Sequence, residues 1–200
     1  TFDEALPFKD KFIGVGLDSS EVGHPPEKFK QVFAKAKAEG LHLVAHAGEE
    51  GPPAYIWSAL DVLKVERIDH GVQATKDPAL MARLAKDRVP LTVCPFSNQK
   101  LCVFPDLADH NIGELLDAGL CVTINSDDPG MFSTDLNREY GIAHAVFGVD
   151  QAERVSHVRA AVEAKLNAIT GQLVFFPVLR RSFFGLGPWA RFMACEKNAR

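Results

Sequence analysis

Leu41-His42-Leu43-Val44-Ala45-His46-Ala47-Gly48-Glu49 is the stretch that decides how this chain folds. A short, nearly continuous apolar run that stops at a glycine reads as a strand covered on both faces, the pattern of parallel sheets. Immediately upstream, Pro26 opens a helical stretch over 27–39. Phe29, Val32, Phe33 and Ala36 share one of its faces, and Gly40 is its stop. Downstream, Pro53 opens another helical stretch that runs to Leu63.

The same unit repeats outward in both directions. Strands are expected at 12–17, 41–47, 67–70, 91–94 and 121–125, with further helices at 79–86 and 112–118, the last ending at Gly119. Strands alternating with helices imply parallel βαβ units and an α/β fold. In such folds chemistry sits at the carboxyl ends of the strands. Polar residues collect there: Asp18-Ser19-Ser20-Glu21, His46-Ala47-Gly48-Glu49, Asp69-His70-Gly71, Cys94-Pro95-Phe96-Ser97-Asn98 and Asn125-Ser126-Asp127-Asp128-Pro129. Generic turn chemistry does not demand so much His, Asp and Glu.

Composition narrows the function classes. The 200 residues are 46% hydrophobic and 24% charged, with a formal net charge of −4, and no concentrated basic face marks a nucleic-acid binder. The longest apolar run, 173–179, is seven residues and holds Pro177; a bilayer span needs about 20. Four well-separated cysteines without Cys-x-x-Cys, and a first segment unlike a signal peptide, lead to the expectation of a reduced, cytoplasmic protein. The missing initiator Met leads to the expectation of coding sequence upstream. Residues 171–200 differ in character: five of the fourteen Phe and a net charge of +4 lie there, leaving −8 for 1–170. We read 1–170 as the functional unit and 171–200 as an atypical Phe/Arg-rich tail.

Three strand ends carry the candidate chemistry. His46 ends the quoted strand, where imidazole is a good ligand for a catalytic zinc that keeps one position for water; a hydrogen-bonded core histidine is the competing reading. Glu49, past a glycine turn, is placed to give or take a proton. His70 ends the strand after Arg67-Ile68-Asp69, where a neutral imidazole can take a proton from water whose pKa a metal has lowered. Asp127-Asp128 follow the last strand; adjacent carboxylates point apart, so one suits a metal and the other a substrate. No Gly-x-Ser-x-Gly elbow and no glycine-rich phosphate loop is present, and Cys94 has no basic neighbour to activate it.

Taken in order, His46-Ala47-Gly48-Glu49, Ile68-Asp69-His70-Gly71, Thr92-Val93-Cys94-Pro95-Phe96-Ser97-Asn98 and Ser126-Asp127-Asp128-Pro129 resemble successive motifs of the adenosine and adenine deaminase family. The resemblance covers roughly residues 12–150. It implies a zinc-centred (β/α)8 TIM barrel, of which this chain holds roughly strands 4–8, and hydrolytic deamination at C6 of a purine. It further implies that His46 and Asp127 are zinc ligands, that Glu49 protonates the ring nitrogen beside C6, and that His70 orients and deprotonates the attacking water. Asp128 would hydrogen-bond the imidazole part of the purine. Gly16-Leu17-Asp18-Ser19-Ser20-Glu21, Glu50-Gly51-Pro52-Pro53 and the run from Ser97 to Phe104 look like the adenine branch, whereas the segment from Pro129 to Leu136, with Glu139-Tyr140, looks more like adenosine-type members. We favour adenine, deaminated to hypoxanthine and ammonia in purine salvage.

The chain lacks the His-x-His pair that the family carries on its first strand. Little or no activity is therefore expected of it in isolation, and a non-catalytic remnant acting as a binding module is the alternative. His24, His110, His144 and His157 fit no motif and are expected to be solvated or on helix faces; His42, on the strand face of His46, is a candidate supporting group.

Overall fold

The computed structural model describes residues 2–147. The expected boundary at residue 170, the 171–200 tail and His157 lie outside the described residues. Five strands form one parallel sheet in chain order: β1 (Gly14–Leu17), β2 (His42–Ala47), β3 (Arg67–His70), β4 (Pro90–Val93) and β5 (Cys121–Ile124). Sequential parallel neighbours joined by helices are the arrangement that the alternating pattern implied. β1 and β5 are the edges of this sheet among the described residues.

Three helices cross between successive strands: α1 (Lys30–Ala38), α2 (Pro53–Ser58) and α3 (Pro78–Asp87). The stretch expected at 27–39 arrives as a 3₁₀ turn, Pro26–Phe29, followed by α1. α2 widens into a π-helical turn, Ala59–Leu63, and ends at Lys64 in a left-handed conformation. Asp77 caps α3, its Oδ1 accepting from the amides of Ala79 and Leu80, with Pro78 in the first turn. Among α-helices of six or more residues, two were not anticipated: α4 (Pro95–Lys100), directly after β4, and α6 (Leu136–Phe147), on either side of the expected α5 (Ile112–Asp117).

The core lies between sheet and helices. Leu43, Ile68 and Leu91 from β2, β3 and β4 meet Phe33, Ile56, Leu80, Leu84 and Leu115 from the helices, all essentially inaccessible to water. Each such side chain contributes roughly 1.5–3 kcal/mol on burial. The pairing of β2 with β3 sets His46 beside Asp69 and Ala47 beside His70, so the packed core delivers the polar strand ends to one rim.

Candidate active site

The rim is built from turns that only particular residues make. Gly48 adopts φ +73° just after β2, and a Cβ there would fall 2.4 Å from Ile56 Cδ1; glycine alone takes this conformation without strain. His70 (φ +63°) and Asp127 (φ +55°) adopt left-handed backbone with full side chains. Such conformations are uncommon outside glycine and gather at functional sites.

These turns bring three predicted residues together. One ligand-capable atom from each of His46, His70 and Asp127 lies within 4.8 Å of the others. The His46 and His70 rings stand 4.8 Å apart, and Ser97 Oγ donates to Asp127 Oδ2. Glu49 joins the cluster, its Oε1 lying 3.4 Å from His70 Nδ1. His46 is 8% exposed, while Glu49 and His70 are each 1% exposed. Asp128 sits at the same rim, half-buried, with its Oδ1 accepting from the Met131 amide at the start of a short helical turn, Pro129–Phe132.

Electrostatics favour a cation here. Burial, then the neighbouring His70, lowers the His46 pKa against the pull of Asp69, Glu49 and Asp127, so the ring is neutral and able to ligate. Its Nδ1 is buried without a hydrogen-bond partner, 3.6 Å from Asp69 Oδ2. Two imidazoles and a carboxylate are donors that suit a divalent metal such as zinc, and a carboxylate behind a ligating histidine is the usual support for such a site. Burial raises the Asp69 pKa, but the charge of Arg67, with hydrogen bonds from Arg67 and Thr92, outweighs it and holds the carboxylate ionised. The residues present fit a metal.

Sequence reasoning assigned no role to Glu21, which locks the loop that carries Glu49. Its buried carboxylate accepts 2.9 Å hydrogen bonds from the amides of Gly48, Glu49 and Gly51. Beside His46 opens a cavity of about 270 Å³, near the lower end of small-molecule pockets, roughly 300 Å³. Leu17, Ser19, Ser20, His24, Phe29 and Tyr55 help to line it.

Two expectations are corrected. His110 is buried, at 5% exposure, rather than solvated or on a helix face, because it packs against Phe104 and hydrogen-bonds Asn98 and the Ile112 amide. His42 lies at the opposite end of β2 from His46, and its Nδ1 pairs with Glu66 Oε2 at 2.8 Å, so it does not support the cluster. His24 and His144 are exposed, as expected. Cys94 is buried with its thiol pKa pushed well up by burial and then by surrounding acids, which makes it inert, in keeping with the absence of an activating neighbour in the sequence.

A sequential parallel α/β sheet with histidine and aspartate donors at its carboxyl rim is the arrangement of (β/α) barrel proteins whose rims can hold a metal. The adenosine deaminase family model matches residues 1–169. The chain belongs to the adenosine deaminase family. It is 67% identical over 147 residues to an adenine deaminase of Albidiferax ferrireducens, a match covering 74% of this chain and 43% of the relative. Its fold superposes on the crystal structure of adenine deaminase from Arthrobacter aurescens with a TM-score of 0.73 and 40% identity, covering 86% of this chain and 57% of that one. An amidohydrolase from Burkhoderia ambifaria with bound Zn aligns at a TM-score of 0.69 and 27% identity, covering 85% of this chain and 55% of that one. The chain spans about half the length of the curated relatives it matches.

Proposed function

We propose that this chain carries the catalytic rim of a zinc-dependent adenine deaminase, which converts adenine and water to hypoxanthine and ammonia. The observation that carries the reading is the convergence of His46, His70 and Asp127 with Glu49 against His70, in a chain whose relatives include adenine deaminases. His46 and Asp127 would hold the zinc. When bound, zinc supplies Lewis acidity that makes water a nucleophile near neutral pH.

The chain's own residues supply the rest. Glu49, buried and held by Asn98, delivers a proton to the ring nitrogen beside C6, making that carbon more electrophilic. His70, fixed at the end of β3, orients the attacking water and takes up its proton. Asp128 accepts a hydrogen bond from the imidazole part of the purine. Proton return to the departing amino group releases ammonia and balances the reaction.

Zinc content and ammonia release, with adenine and adenosine assayed on the same purified chain, test the reading. Stoichiometric zinc with turnover of adenine supports it, and preference for adenosine moves the chain to the nucleoside branch. Zinc-free, inactive protein is the outcome expected of the chain alone, which lacks the His-x-His pair; turnover that stays absent when a relative's first strands are joined to it would leave it as a binding module that retains the family's rim.

A further inference from the structure

Behind the rim, four groups form a chain of hydrogen bonds whose direction is fixed at one end. The Ile112 amide, which can only donate, lies 3.1 Å from His110 Nδ1. That nitrogen is therefore an acceptor and the ring proton sits on Nε2. Nε2 lies 3.1 Å from Asn98 Oδ1 and donates to it. The Asn98 amide is thereby oriented with Nδ2 facing the site, where it is 3.1 Å from Glu49 Oε1 and 3.2 Å from His70 Nδ1. Reversing Asn98 would set its oxygen against the Glu49 carboxylate and its NH2 against the His110 N–H.

We infer that His110 is a positioning residue: by locking the Asn98 amide it holds the Glu49 carboxyl in place at the rim, beside the His70 ring. The inference rests on the deaminase reading for what the rim does, and on geometry alone for the lock. Every member is buried, so each lost bond leaves a polar group that water cannot reach. Burial, then His70, lowers the His110 pKa to about 4, so the ring stays neutral and keeps its single donor. Phe104, with its ring centroid 4.4 Å away, closes the far side. α4 presents Asn98 and the turn before α5 presents His110, which makes the lock a bridge between two elements that follow β4.

The test uses the ¹⁵N-labelled chain with H110Q and H110F variants. Glutamine can still accept from Ile112 and donate to Asn98; phenylalanine fills the space and does neither. Long-range ¹H–¹⁵N spectra near neutral pH should place the His110 proton on Nε2, with the Asn98 amide protons protected from exchange in the parent and in H110Q but not in H110F. In zinc-loaded protein, H110F should lower kcat for adenine by about tenfold to a hundredfold with a smaller change in KM, and H110Q should recover most of it. A proton on Nδ1, or unchanged Asn98 protection in H110F, overturns the inference. If the parent does not deaminate adenine even with a relative's first strands joined to it, the deaminase reading fails, while the ring tautomer and amide protection still decide the lock. If H110F does not fold, the parent's tautomer and the H110Q comparison decide it.

Discussion

The two sides of this sheet are built on opposite terms. Toward the helices, Leu43, Ile68, Leu80, Leu84 and Leu91 pack with ordinary backbone and no polar atoms to satisfy. At the carboxyl rim, Glu21, Glu49, His70, Asn98 and His110 are just as buried, yet all are polar, and His70 and Asp127 adopt strained backbone. The apolar layer stabilises the chain in proportion to area. The rim depends on each polar group finding its partner, because an unmatched buried donor or acceptor costs about 1–3 kcal/mol. Stability is concentrated in one region and chemistry in the other, and substitutions should separate them.

The sharpest separation is Glu49→Gln. In the zinc-loaded protein it should cut kcat/KM for adenine by about 10²- to 10⁴-fold while leaving the thermal unfolding midpoint unchanged or higher; undiminished turnover would remove Glu49 from the mechanism. The converse is Leu80→Ala, fully buried on α3. It should cost about 2–5 kcal/mol in denaturant unfolding, and a loss below about 1 kcal/mol would mean that the apolar layer is not tightly packed there.

A pH titration of stability probes the rim. The folded pKa of His110, about 4, lies below its ordinary 6.5, so the unfolded chain binds more protons between those values. Stability from this ring is therefore full above about pH 6.5 and lost as the pH falls toward 4, by roughly 3 kcal/mol in all. H110Q should remove that part of the slope, and identical slopes for parent and variant would show that the ring is not held neutral. Glu21→Gln replaces one acceptor oxygen by a donor facing the 48–51 loop amides and should cost about 2 kcal/mol, with faster amide exchange at Glu49 as the local readout. Smallest is Asp61→Asn on the helical surface: it breaks the exposed pair with Arg83, at 2.8 Å, and should change stability by no more than about 1 kcal/mol.

Much of this was legible in advance for identifiable reasons. The strands at 41–47, 67–70 and 121–125 appear within a residue or two because parallel strands are apolar throughout and end abruptly. His46, His70 and Asp127 were readable because each lies within three residues of the end of such a run, which places it at the rim. α4 was missed because six residues opening with Pro95 are too short to show a period. Glu21 was quoted only as part of a polar strand end; its three amide partners lie 27 to 30 residues away. His110 was misread because Asp109-His110-Asn111 looks like a solvated turn before a helix. The Ile112 amide two residues on was a local hint, but Phe104 and Asn98, which bury the ring, are brought there by the fold of the 94–112 segment.

The sequence by itself determined the parallel α/β architecture and which side chains arrive at the rim, because hydrophobic period and strand length are local quantities. Only the tertiary structure decided which polar groups become one another's partners: Glu21 with the loop of Glu49, Asp69 with Thr92, and His110 with Asn98. Hydrogen bonds act over about 3 Å, and which atoms come that close is settled when strands and helices from distant parts of the chain pack together.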